Sequence, residues 1–313
     1  MIQPSLNYIN CPDATGYHRM AYWQWGDAVS AHVVLCVHGL TRQGRDFDVL
    51  ARALCERASQ AGSSLRVICP DVVGRGQSDW LDDPVGYQIP AYAADMLALL
   101  AKLQAQAPIS LLDWVGTSMG GLIGLVMCGQ TDLPLPQRVR KLVLNDVGPT
   151  VEWAALQRIG AYLGKGGEFE SVQQAADTMW TTSSSFGPHT AEQWLALSTP
   201  MVRLVDSADA TAPKRWKLHY DPAIADTFGA ASETATQEGQ SLLWHLYDQI
   251  SADTLLLRGA ESDLLSVDTA KAMTERGPRA RLVEFKGVGH APTITSADQI
   301  AVVADFLMAS NEK

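Results

Sequence analysis

Short apolar runs alternate with longer segments of helical period along most of this chain. VVLCVHG (33–39), LRVICPD (65–71), SLLDWVG (110–116) and KLVLNDVG (141–148) place aliphatic residues on consecutive positions, as strands covered on both faces do. TLLLRG (254–259) and RLVEFKG (281–287) repeat the pattern. Between them, DFDVLARALCERASQAG (46–62) and QIPAYAADMLALLAKLQAQ (88–106) carry apolar residues three and four apart. This alternation predicts an α/β architecture, a mostly parallel central sheet flanked by helices. HRMAYWQWG (18–26) alternates more loosely and is expected to supply an antiparallel edge. The alternation stops between Gly148 and about Asp253, where EWAALQRIGAYL, SVQQAADTMW, TAEQWLALS and TQEGQSLLWHLYDQI read as one helix after another. A helical cap at 149–250, inserted after the sixth strand, is therefore expected over one end of a core formed by 1–148 and 251–313. That insertion holds Trp153, Trp180, Trp194, Trp216 and Trp244, five of the nine tryptophans, and some of them are expected at the mouth of a pocket.

Composition narrows the function classes. Hydrophobic residues make up 47% and charged residues 19% of 313, which excludes wholesale disorder and allows a substantial core. Lys and Arg number 24 against 34 Asp and Glu, a formal charge of −10. Without a basic block, such a chain has no electrostatic reason to hold a phosphate backbone or an anionic membrane surface. Cys11, Cys36, Cys55, Cys69 and Cys128 are scattered and odd in number, against both a disulfide framework and a zinc site; Cys36 and Cys69 fall inside apolar runs. The first residues lack a basic stretch followed by an apolar one, and no run approaches 18 apolar residues. A soluble cytoplasmic protein is expected, with no metal and no cofactor; its oligomeric state is not legible.

One constellation carries chemistry. SLLDWVG runs into GTSMGG, and GLIGLVMCG follows with helical character. Gly116-Thr117-Ser118-Met119-Gly120 is a G-x-S-x-G set on a strand-to-helix turn, where small residues on either side of Ser118 leave room for the sharp bend. A serine hydroxyl needs a base, and of seven histidines only His290 follows the last strand on a short loop, FKGVGHAPTI. His38 ends its own strand and is expected to pack beside the loop there. The base in turn needs an acid. Asp263 follows TLLLRG by a short loop, and Asp146, at the end of KLVLND, competes with it. Asp263 is the expected acid, and Ser118…Asp263…His290 has the chain order expected of the α/β-hydrolase arrangement.

From about residue 20 onward the sequence resembles that superfamily, and most of all its capped serine hydrolases: esterases, lactonases and C–C bond hydrolases. The resemblance rests on VHGL (37–40), PDVVGRGQSD (70–79), VGTSMGG (115–121), RGAESD (258–263) and GVGHAP (287–292), in that order. It implies the α/β-hydrolase fold and an oxyanion hole built from the backbone N–H groups of Leu40 and Met119. It also implies a site floor shaped by Asp71, Gly74, Gly76, Ser78 and Asp79. Asp95 reads as a hydrogen-bonded anchor. Arg42 and Arg45 read first as surface arginines, with Arg42 as a candidate substrate-binding residue that would take a carboxylate by a bidentate contact. HGLT departs from the HGGG form, Ser118 replaces the aspartate that epoxide and halide chemistry needs, and no cysteine stands at the elbow. The expected activity is hydrolysis of small to medium soluble carboxylic esters, short hydroxyacid oligomers among them, through an acyl-enzyme on Ser118. Lactone or C–C bond cleavage by the same triad is the alternative, and a non-catalytic ligand-binding protein on this fold is a third reading.

Overall fold

A computed structural model of the protein describes residues 3–205, 211–229 and 232–309. The parts of the expected core at 1–2 and 310–313, and of the expected cap at 206–210 and 230–231, lie outside the described residues. The chain opens with β1 (Ser5–Asp13), β2 (Gly16–Gly26), β3 (His32–Val37), α1 (Asp48–Gln60), β4 (Arg66–Pro70) and α2 (Ile89–Gln106). It continues through β5 (Leu111–Thr117), α3 (Met119–Gly129) and β6 (Val139–Asn145). After the inserted region come β10 (Asp253–Gly259), α9 (Val267–Glu275), β11 (Arg281–Phe285) and α10 (Ala297–Met308). The eight strands form one sheet in the order β1-β2-β4-β3-β5-β6-β10-β11, with β1, β2 and β4 paired antiparallel and the others parallel.

Successive residues of a strand point to opposite faces, and the two apolar layers follow that period. Val33, Leu35 and Val37 of β3, with Leu142 and Leu144 of β6, face α2, α3 and α9. Val34, Cys36 and Val143 face α1 and α10 on the other side. Leu99, Leu100 and Leu103 of α2 are fully buried, each stabilising the fold by about 1.5–3 kcal/mol relative to exposure. β1 was not expected from sequence: only Ile9 and Cys11 on it are buried, so its apolar signal is thin.

The inserted region comprises α4 (Trp153–Tyr162), β7 (Glu168–Phe169), α5 (Val172–Ser183), α6 (Ala191–Ser198), β8 (Val202–Leu204), β9 (Trp216–Leu218), α7 (Ile224–Gly229) and α8 (Glu233–Asp248). Two features depart from the expected run of helices. β7, β9 and β8 form a small antiparallel sheet with Phe169, Ala175 and Val202 beneath it; strands of two or three residues leave no period to read. And α8 packs on the core rather than over the sheet end. Its Leu246 carbonyl touches the backbone at Gly129 of α3, where no side chain would fit, and the buried Tyr247 hydroxyl donates to the Met273 carbonyl of α9 at 2.6 Å.

β3 sits where the strand order reverses: the chain passes from it to β4 on one side and then crosses back to β5 on the other. In open α/β sheets the crevice at the carboxyl ends of such strands receives the ligand. The VHGL and GTSMGG segments leave the sheet at this crevice.

Candidate active site

Ser118 joins β5 to α3 with φ 51° and ψ −116°, a conformation that side-chain-bearing residues rarely adopt. The turn closes only because glycines flank it. A Cβ on Gly116 would meet the Gly120 carbonyl, one on Gly120 the Val37 carbonyl, and one on Gly121 the Val147 side chain. The Ser118 amide donates to the Asn145 carbonyl at 3.0 Å, which fixes the turn against the end of β6.

The Ser118 hydroxyl lies 2.9 Å from His290 Nε2, and His290 Nδ1 lies 2.8 Å from Asp146 Oδ2. The carboxylate fixes the tautomer: Nδ1–H donates to Asp146, leaving the Nε2 lone pair to accept the serine proton. Asp146 is fully buried at φ 56°. Its Oδ1 accepts from the Gly259 amide at 2.9 Å and its Oδ2 from the Ser262 hydroxyl at 2.6 Å, so the buried charge has three donors.

Asp263, the acid expected from sequence, is elsewhere. Its half-exposed carboxylate forms a bidentate pair with Arg158 of α4 at 2.6 and 2.9 Å. The loop after β10 presents Ser262 to Asp146 and turns the next side chain outward to the cap. The structure thus puts the carboxylate next to the histidine at the end of β6, beside the serine's own strand.

The segments expected to stabilise an oxyanion are held from below. His38 is buried, and its Nδ1–H donates to the Gly39 carbonyl at 2.7 Å while Nε2 accepts from the Val72 amide at 2.9 Å. Burial pushes its pKa down to about 3, so it stays neutral with both nitrogens occupied and has no free site for base chemistry. The Gly39 carbonyl belongs to the peptide unit that carries the Leu40 N–H, so the His38 bond also orients and polarises that donor. Met119 contributes the first amide of α3, at the positive end of the helix.

Arg75 was not singled out by sequence, yet it is fully buried beneath both segments. Its guanidinium donates to the Leu40 carbonyl at 2.8 Å, the Val73 carbonyl at 2.7 Å and the Tyr92 hydroxyl at 3.0 Å, and lies 3.6 Å from Met119 Sδ. The G-R-G spacing in PDVVGRGQSD was the available signal, since an arginine between two glycines has little side-chain cover of its own. In the same loop, Asp71 accepts from the Gly44 and Gln77 amides, both at 2.8 Å, and burial raises its pKa to about 6. Replacing Arg75 by methionine strands two buried carbonyls. We expect a loss of about 2–5 kcal/mol, read as a lower urea midpoint with an unchanged slope.

A cavity of about 250 Å³ opens beside Ser118 and His290, walled on the cap side by Ile159, Tyr162, Phe169, Met179 and Phe186. None of the five cap tryptophans lines it. Trp180 and Trp194 instead cross edge-to-face at 4.9 Å inside the cap, and Trp244 donates to Thr150 under the Arg276 guanidinium. The cap also holds the histidine loop: the Ser185 carbonyl accepts from the Gly289 amide at 2.6 Å and its hydroxyl donates to the His290 carbonyl at 3.2 Å. Arg42 does reach the cavity wall, but its Nε and one terminal nitrogen are bonded to Asp46 at 2.7 Å each, and that nitrogen also to the Leu197 carbonyl. One edge of the guanidinium expected to take a substrate carboxylate is therefore already occupied by Asp46.

Among the described residues, Cys11, His18 and Asp95 form the one set of metal-ligating types with ligand atoms within 4.8 Å of one another. It lies between β1, β2 and α2, where His18 bonds Asp13 and Asp95 at 3.1 Å each, anchoring α2 as expected for Asp95. No helix of the described residues is long and apolar enough to cross a membrane.

Residues 32–297 match the family model of the alpha/beta hydrolase fold. The chain is 44% identical over 303 residues to a 3-hydroxybutyrate-oligomer hydrolase of Cupriavidus necator, covering 97% of each. It is 26% identical over 252 residues to a 2-hydroxymuconate semialdehyde hydrolase of a Pseudomonas species, covering 79% of this chain and 78% of the relative. Among solved structures, an alpha/beta hydrolase from Novosphingobium aromaticivorans superposes with a TM-score of 0.78 at 32% identity, covering 98% of this chain and 99% of that one.

Proposed function

The chain belongs to the α/β-hydrolase family and is an ester hydrolase, and from that premise we propose that it cleaves short hydroxyacid oligoesters and related small esters through an acyl-enzyme on Ser118. The observation that carries this reading is the unbroken hydrogen-bond chain Asp146–His290–Ser118 opening onto a cavity under the cap. Ser118 Oγ attacks the ester carbonyl while His290 Nε2 takes its proton, and Asp146 stabilises the imidazolium through Nδ1. The charge on the carbonyl oxygen is received by the Leu40 and Met119 N–H groups. His290 then returns the proton to the departing alcohol, and a water, deprotonated by the same nitrogen, releases the acid and restores the serine. Base, oxyanion donors and nucleophile all come from the chain, so no metal or cofactor enters the scheme. A cytoplasmic setting is part of the proposal, supported by five free thiols.

The test is a chain-length series of p-nitrophenyl esters run beside a linear 3-hydroxybutyrate trimer, a lactone panel and a vinylogous ring-cleavage diketone. Each methylene buried in the apolar wall adds about 0.8 kcal/mol until the cavity is full. The expected kcat/KM therefore rises from acetyl to about butyryl or hexanoyl and falls by dodecanoyl, with the trimer cleaved. Turnover confined to the diketone would move the enzyme to C–C bond hydrolysis. A maximum at long chains would show a cap that opens far more widely.

A further inference from the structure

The cavity wall is electrostatically one-sided. Arg42, Arg158 and Lys165 line it, and no aspartate or glutamate does, in a chain of net charge −10. Two of the three cations are already matched from behind the wall, Arg42 by Asp46 and Arg158 by Asp263. Lys165 forms no ion pair among the described residues. It is exposed, on a turn that its own amide closes onto the Tyr162 carbonyl, between Gly164 at φ 74° and the Gly166-Gly167 pair.

The polar stretch of α5 on the same wall cannot do the work of a cation. Thr178, Thr181 and Thr182 donate their hydroxyl protons to the Gln174, Thr178 and Met179 carbonyls at 2.9, 2.7 and 3.1 Å. Their oxygens are left as acceptors, suited to a hydroxyl group and repelled by an anion.

We propose that this cavity recognises linear oligoesters by a free terminal carboxylate, and that Lys165 is the residue that pairs with it. The inference rests on the ester-hydrolase reading above and adds to it the end of the substrate that is held. In a linear hydroxyacid oligomer the carboxylate belongs to the departing alcohol. When Ser118 attacks the preceding carbonyl, the C–O bond breaks, the alkoxide takes the His290 proton, and a hydroxyacid leaves with its carboxylate on Lys165. The acyl group remaining on Ser118 goes to water. A chain whose overall charge repels anions needs such a local cation to draw one in.

The experiment uses the linear 3-hydroxybutyrate dimer as the free acid and as its methyl ester, following scission of the internal ester by chromatography, with p-nitrophenyl butyrate as the neutral reference. The wild type should favour the free acid by about fivefold in kcat/KM, the scale of a solvent-accessible ion pair, and added salt should shrink that preference. Lys165→Gln should raise KM for the free acid about fivefold with kcat little changed, and leave the methyl ester and p-nitrophenyl butyrate as they were. Lys165→Arg should keep most of the preference. Equal treatment of acid and methyl ester by the wild type overturns the proposal while leaving the ester-hydrolase reading intact, as does a Lys165→Gln loss shared by all three substrates. Failure of the wild type on every one of the three, reference ester included, overturns both.

Discussion

Ser118→Ala is expected to lower kcat by about 10⁴–10⁶ with the fold unchanged. The hydroxyl is 2.9 Å from the His290 nitrogen that would take its proton, and an alanine there offers no nucleophile at all. What survives should be the rate supplied by binding and the oxyanion donors, typically 10³–10⁴ over water in enzymes of this design. Alanine also relieves nothing of the φ 51° backbone, because the strained conformation is set by Gly116 and Gly120 packing and not by the side chain. Thermal unfolding should therefore shift little. His290→Ala should give a similar loss, and the double variant should be no worse than either single one, since the two groups act as a unit. A Ser118→Ala enzyme that keeps a tenth of its activity on p-nitrophenyl butyrate removes Ser118 from the nucleophile's place.

Asp146→Asn should cost about 10⁴ in kcat, and Asp263→Asn less than tenfold. An amide at 146 can donate to His290 Nδ1, favouring the tautomer that carries its proton on Nε2 and so cannot accept one from the serine. It also turns a buried acceptor of three hydrogen bonds into a group that must match the Gly259 amide and the Ser262 hydroxyl differently, so some loss of stability should accompany the kinetic effect. Asp263→Asn removes only a half-exposed pair with Arg158, of a kind that contributes about 1 kcal/mol or less. Kinetics on both variants, with circular dichroism to verify folding, separate the two carboxylates. A larger loss at 263 would return the acid to the loop after β10.

The sheet was legible because its inner strands are covered on both faces and so read as unbroken apolar runs; β3, β5, β6 and β10 fall within a few residues of the segments expected. β2 was visible as an antiparallel strand but not as the inner one it is, since the edge belongs to β1; β1 and the strands of the inserted region were not visible, the first for want of buried positions and the others for want of length. The elbow and the histidine were legible for a different reason: steric demand at Gly116 and Gly120 restricts residue type, and a loop after the last strand can reach only one place. The choice between Asp146 and Asp263 had no such constraint. Both end strands at the same edge of the sheet, and what decides is the left-handed backbone at Asp146 together with donors from Gly259 and Ser262, contacts that carry no period. The tryptophans failed as pocket markers because bulk dictates that a ring be covered without dictating by what. Arg75 was passed over because a buried guanidinium satisfied by carbonyls has no partner charge to look for.

With the acid at the end of β6, the three groups become unequal in the order in which they can be assembled. Ser118 and Asp146 stand on paired neighbouring strands, with Thr117 opposite Asn145, and a short crossover closes them together. His290 is 172 residues beyond the serine and 144 beyond the aspartate, and it can arrive only once the cap, β10 and β11 have been made. A chain emerging from the ribosome folds from its first-made end, and long loops close at greater entropic cost than short ones. The nascent protein is therefore expected to hold its serine and aspartate on neighbouring strands while the 144 residues from Asp146 to His290 are made, without a base between them. Nucleophilic reactivity is expected only once His290 has been made, when the inserted region that walls the cavity beside Ser118 has already been synthesised.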